Sequence, residues 1–141
     1  MGAWGINNFD NDGAMDFSAD VVEGNRSLIK DAILKVTNLS DDDYLESPEC
    51  EEALAAIEFI AAQKGNPSPD FPEEALEWIK KNDVLHFSSG LVFKKQIDIT
   101  ALSLHAIERI GSNSELQELW EESDEYKDWL KVLEDLKNRI K

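Results

Sequence analysis

Residues 47–65 read SPECEEALAAIEFIAAQKG, and this stretch decides the fold class. Ser47 suits a helix cap and Pro48 suits the first helical position, because its missing N–H would be unpaired there anyway. Glu49, Glu51 and Glu52 follow in the first turn, where the positive end of the helix dipole favours acids. Cys50, Ala53, Leu54, Ile57, Ile60 and Ala61 then recur at helical spacing until Gly65 supplies a stop. So apolar a helix belongs at the centre of a helical domain, with more polar helices around it.

Helical periodicity extends in both directions. Upstream, Ala14, Phe17 and Val21 follow the Asp10-Asn11-Asp12-Gly13 corner, where Asp10 or Asp12 is expected to cap. Asn25 or Ser27 can cap the next helix, whose stripe is Leu28, Ile29, Ala32, Ile33 and Val36. Downstream, Asn66-Pro67-Ser68-Pro69-Asp70 is loop chemistry, since each proline pushes its predecessor out of the helical region. Asp70 or Phe71 opens a shorter helix with Ala75, Leu76, Trp78 and Ile79. Residues 84–96 are ambiguous: Leu91-Val92-Phe93 could be extended, and Ser88-Ser89-Gly90 reads as a turn.

From Asp98 the stripe Ile99, Leu102, Ala106 and Ile110 marks a second central helix, ending at Gly111. Ser114 to Gln117 forms a capping box in which each side chain reaches the other's free amide. Ser123 can cap a last helix bearing Tyr126, Trp129, Leu130, Leu133, Leu136 and Ile140. Asp128–Lys131, Lys131–Asp135 and Glu134–Lys137 sit at ion-pair spacing on its wet side. The expected fold is all-α: six or seven helices in one domain over residues 1–141, with little or no sheet. The N-terminal arm should be ordered, with Trp4 and Phe9 buried.

The 141 residues are 42% hydrophobic and carry 14 basic against 30 acidic side chains, a formal net charge of −16. A chain of this size buries roughly 70% of its unfolded surface, so it needs no staples. The charge opposes direct binding to nucleic acid or to an anionic membrane. No run of 18 apolar residues exists to span a bilayer. The opening Met1-Gly2-Ala3-Trp4 lacks the basic and apolar regions of a signal peptide. Cys50 is the one cysteine, which fits a reducing cytoplasm.

Catalytic chemistry finds little support. His86 and His105 have no second histidine or cysteine at metal-binding spacing. Cys50 lies near a helix N-terminus, but three neighbouring glutamates and its apolar face read as a packed core thiol. Asn8 to Gly13 resembles the start of a calcium loop, yet Ala19 stands where the bidentate glutamate belongs. Asp10, Asp12 and Asp16 form the one dense carboxylate group that could serve a metal-dependent hydrolase. No catalytic residue, metal or cofactor is assigned.

Acid is concentrated in the first part of the chain: residues 1–60 hold three cations and 14 acids, whereas residues 61–141 hold 11 and 16. The densest run spans Asp41, Asp42, Asp43, Tyr44 and Glu46, with Glu49 close behind. These six are the candidate partner-binding residues, since carboxylates around an aromatic suit a Lys- and Arg-rich surface. A solvated helix approach would look the same. The favoured reading is a cytoplasmic binding protein that neutralises a basic partner, such as an immunity protein against a nuclease-type toxin. The alternative is a structural or regulatory interaction module whose partner is another domain or a second copy of itself. Self-association would use any apolar excess on the Tyr126–Trp129 helix, so that the chain is either a monomer or a homodimer.

Three separated motifs also resemble one family. They are the opening Met1-Gly2-Ala3-Trp4-Gly5 with Asn7 to Phe9, Asp10-Asn11-Asp12 and Ala14 to Phe17; Tyr44 to Glu49 with Glu52 to Ala56; and Ser114 to Glu122 followed by Trp129. Together they are similar to a bacterial domain-of-unknown-function family, the one numbered 4259, with residues 82–97 fitting least. The resemblance implies a small single-domain bacterial protein. It supplies no reaction and transfers no catalytic residue.

Overall fold

The computed structural model describes residues 3–89 and 95–141. Among them the chain forms α1 (Asp12–Val22), α2 (Ser27–Thr37), α3 (Ser47–Gln63), α4 (Glu73–Ile79), β1 (His86–Ser89), β2 (Lys95–Asp98), α5 (Ile99–Ser112), α6 (Glu115–Glu121) and α7 (Tyr126–Ile140). The fold is all-α apart from one antiparallel hairpin of β1 and β2, registered Phe87 to Ile97 and Ser88 to Gln96.

Helix α3 is the centre, packing against each of the other six helices. Its residues 53–62 are buried without interruption. Burial of each of Ile57, Phe59 and Ile60 contributes about 1.5–3 kcal/mol, so this one helix anchors a large share of the core. Gly65, with φ of 92°, ends the run in a conformation that side chains disfavour. Helix α5 is the second hub, against α2, α3, α6 and α7. It runs one residue past Gly111 rather than ending there. A Cβ at Gly111 would stand 3.1 Å from a Leu133 methyl, so this glycine serves the close approach of α5 and α7.

Caps differ from expectation in detail. Asn11, not Asp10 or Asp12, caps α1, accepting from the Ala14 amide at 2.7 Å. Asp10 is spent on the preceding turn, where its carboxylate accepts from the Asn7 amide. Neither Asn25 nor Ser27 caps α2; their side chains bond each other at 2.7 Å. Ser47 is already inside α3, which starts without a side-chain cap. Ser114 does cap α6 at 3.0 Å, but Gln117 turns away to Glu121 and Tyr126, so the capping box is only half formed. Helix α4 begins at Glu73, after Pro72. Ser123 accepts from the Glu125 amide just ahead of α7.

Two expectations fail for identifiable reasons. Trp4 is 62% exposed, although Phe9 is buried. The arm returns on itself as a narrow extended pair, Ala3 bridging Asn11 and the Trp4 amide donating to the Asp10 carbonyl at 2.9 Å. Extended neighbours point to opposite faces; Ala3 faces the core, so Trp4 faces out. Ser88 and Ser89, expected in a turn, lie in β1. Gly90 and Leu91-Val92-Phe93 are outside the described residues.

Phe9 joins Phe71, Phe59 and Trp78 in a chain of edge-to-face rings with centroids 5.1–5.9 Å apart. On α7, Trp129, Leu133, Leu136 and Ile140 are buried, with Trp129 stacked on Trp120 and Tyr126. The core uses that stripe.

Candidate functional site

The acidic segment connects α2 to α3 and is held from beneath. Arg109 on α5 is only 7% exposed. Its guanidinium donates to the carbonyls of Ser40 at 3.0 Å and Asp43 at 2.5 Å, and its Nε donates to the Asn113 carbonyl. The Asn113 side-chain Nδ2 donates to the Asp41 carbonyl at 3.0 Å. The Glu115 amide donates to the Leu45 carbonyl, and the Glu115 carboxylate accepts from the Ser47 amide, both at 2.8 Å. Leu45 is buried and pins the middle of the segment. These partners take backbone groups, so the carboxylates of Asp41, Asp42 and Asp43 stay on the exposed side of the turn. Asp43 also accepts from the Ser40 amide at 3.3 Å, closing the turn on itself.

The six candidates divide into two groups. Asp41, Asp42 and Asp43 form an outer acidic turn. Tyr44, Glu46 and Glu49 line an open groove of about 270 Å³ with Lys35, Leu39 and Leu45. Tyr44 is 56% exposed and donates its hydroxyl to Glu118 at 3.0 Å. Its phenol is pushed up to about 12 by lost hydration, by that hydrogen bond and by the charges of Glu115, Glu118 and Glu46. One carboxylate oxygen of Glu49 is buried in this region with no protein partner. The groove combines an aromatic face, apolar flanks and two carboxylates against the single cation Lys35, a balance that still suits a guanidinium or ammonium group.

Glu115 and Glu118 enlarge the acidic face, and sequence reading saw them only as a helix start. Their approach to Tyr44 and Ser47 spans some 70 positions, and no local pattern announces it. Arg109 was passed over for the same reason. Glu58 had a visible signal, being the lone acid inside an apolar helical run. It is 2% exposed, gripped by the Arg139 fork at 2.8 and 2.9 Å and by the Asn8 side-chain amide at 2.7 Å.

The other chemical candidates are scattered. Cys50 is fully buried, and burial pushes its thiol up to about 12 against the opposing hydrogen bonds of Ser114 and Leu116. His105 is exposed, and His86 is exposed beside Asp83. No group of three or more His, Cys, Asp or Glu among the described residues is arranged to hold a metal ion, so Asp10, Asp12 and Asp16 form no ligand set. No helix among them is long and apolar enough to cross a membrane.

Residues 2–132 match the family described as Domain of unknown function (DUF4259), and the chain belongs to that family. The matched range includes 82–97, the stretch that resembled it least. No curated protein and no solved structure matches the chain.

Proposed function

We propose that this member of the family docks a basic protein through its acidic turn and groove and so neutralises it. The class of partner is a nuclease-type toxin, met in the bacterial cytoplasm. The supporting observation is the clamp of Arg109, Asn113 and Glu115 on the backbone of residues 40–47. A clamped loop presents its charges already ordered, so association costs less conformational entropy. Ordinary solubilising acids need no such scaffold.

Charge supports the same reading. Enzymes that grip phosphate backbones cluster Lys and Arg, and a chain of net charge −16 meets such a surface with a complementary field. Asp41, Asp42 and Asp43 would steer the encounter, and Tyr44, Glu46 and Glu49 would hold one inserted cationic side chain. Truncating a carboxylate buried against that partner should cost about 2–5 kcal/mol, while a rim carboxylate should chiefly slow association.

The test is co-purification from the native host, then binding at low and high salt. A basic nuclease inhibited by the chain supports the reading. An Asp41→Asn, Asp42→Asn, Asp43→Asn triple variant should reduce both affinity and its salt dependence. Unchanged affinity and salt slope would refute the acidic dock.

A further inference from the structure

We propose that the groove between α1 and α2 receives an α-helix of the basic partner, one with lysines or arginines on both flanks of an apolar stripe. This deepens the docking reading above and rests on it, since it names the element that the partner inserts beside the acidic turn. Helices α1 and α2 each pack on α3, and their packing on each other is slight. They leave between them a groove of about 240 Å³, with Phe17, Leu28 and Ala32 in its floor and Asp16, Asp20 and Asp31 on its exposed rims. Lys35 belongs both to this groove and to the one beside Tyr44, so the two adjoin along α2.

The walls decide the shape of the occupant. Both are helices, whose backbone groups are spent on their own hydrogen bonds, so an extended segment finds no free edge to pair with. A helix laid along such a groove needs only side chains to pack against side chains. Leu28, Ala32 and Lys35 follow one another on one face of α2 over about 10 Å, the length of two helical turns. Leu28 is only half-buried by the core, and the apolar stripe of the occupant covers the remainder.

Charge decides its chemistry. Among the described residues, Asp16, Asp20, Asp31, Glu52 and Lys35 make no ion pair and no side-chain hydrogen bond. Asp16 and Asp20 stand one turn apart on α1, a like-charge pair that destabilises the helix. Asp31 and Lys35 share the spacing of an ion pair on α2 and do not form one. On α7, by contrast, Asp128, Glu134 and Asp135 are paired with Lys131, Lys137 and Arg139. Four carboxylates against one lysine leave the groove with an excess of negative charge on both sides of an apolar floor. One row of cations on the occupant meets Asp16 and Asp20, and the opposite row meets Asp31.

The experiment titrates the isotopically labelled full chain with two synthetic peptides of about 15 residues, identical in their content of Leu, Ala and Lys. In one, leucines at helical spacing form a stripe flanked by lysines; in the other the order is scrambled so that no stripe forms. The striped peptide should give saturable amide shifts over residues 13–20 and 28–35. It should bind about tenfold more tightly than the scrambled one, equivalent to 1.4 kcal/mol. An Asp16→Asn, Asp20→Asn, Asp31→Asn variant, all three positions exposed, should keep its thermal midpoint and lose most of that advantage. The triple Asn variant at Asp41, Asp42 and Asp43 removes the same charge and should retain the advantage, so the difference between the two reads the groove and not the long-range field. Equal binding of both peptides, no saturable shift at millimolar peptide, or an equal effect of the two variants would each overturn the proposal. Shifts confined to residues 41–49 would overturn it and leave the acidic turn as a dock, which stands or falls on the native partner.

Discussion

Two arginines, Arg109 buried and Arg139 half-buried, do opposite things in this molecule. Arg139 spends its guanidinium on the carboxylates of Glu58 and Asp135, cancelling charge inside the protein. Arg109 spends its own on the carbonyls of Ser40, Asp43 and Asn113, which are neutral. The first arrangement closes the arm, α3 and α7 around a satisfied ion pair. The second shapes a loop and leaves its acids free to act outward. The two arrangements differ in what the arginine binds: carboxylates in one, backbone carbonyls in the other.

The largest effect should come from breaking the first arrangement. Arg139→Met leaves Glu58 charged and buried without its fork, and should cost about 3–5 kcal/mol in urea unfolding. Adding Glu58→Leu should restore much of that loss, because a well-packed apolar pair often replaces a buried ion pair without penalty. If the double variant is as unstable as the single one, Asn8 and the packing of Glu58 matter more than the charge pair.

Arg109→Met should come next, at about 2–3 kcal/mol, through loss of charge-assisted hydrogen bonds from a buried guanidinium to three backbone carbonyls. The sharper comparison is with the triple Asn variant at Asp41, Asp42 and Asp43. These carboxylates support little of the fold, so its stability should stay within about 0.5 kcal/mol of wild type. A large loss in the triple variant would make the acids structural and erase the contrast with Glu58.

What the sequence disclosed follows the range of the forces involved. Helices α1, α2, α3, α5 and α7 announce themselves because periodic burial and end signals act over a few residues. The centrality of α3 was legible from its scarcity of polar positions. Trp4 was misread because hydrophobicity argues for burial, whereas backbone alternation beside Ala3 decides the facing. The β1–β2 hairpin was misread because Ser88 and Ser89 carry turn preferences that cross-strand pairing overrides. Of the site, the six acidic-segment residues could be named, but their division between turn and groove depends on clamps reaching back from Arg109 and Glu115.

A smaller effect is expected at the junction leading into β1. Asp83 accepts from the Leu85 and His86 amides and from the His86 ring, between 3.0 and 3.1 Å. Burial opposes its charge, but the His86 ring and those amides hold its carboxyl below the usual range. Asp83→Ala should cost about 1 kcal/mol. A carboxyl with a depressed folded pKa stabilises above its unfolded pKa and loses that contribution as pH falls through the folded value. The gap between variant and wild type should therefore hold at pH 5 and close below about pH 4. A gap that persists to pH 2 would show that side-chain volume, not charge, holds this junction.

The smallest effect runs the other way and tests whether acids without a cation carry a cost. Glu51 sits half-buried beside Glu52 and Asp12, and its carboxyl is raised first by burial and then by those charges. A raised folded pKa means the charged form is disfavoured by folding, so the cost is full above that value and fades as pH falls toward the unfolded pKa. Glu51→Gln removes the charge with little change of shape, and should raise neutral-pH stability by a few tenths of a kcal/mol after solvent screening. In chemical unfolding the gain should be present at pH 7 and absent near pH 4. High salt should shrink it, because part of the cost is repulsion between partly exposed carboxylates. A loss of stability in this variant would mean that Glu51 supports the start of α3 through the helix dipole more than it suffers from its neighbours.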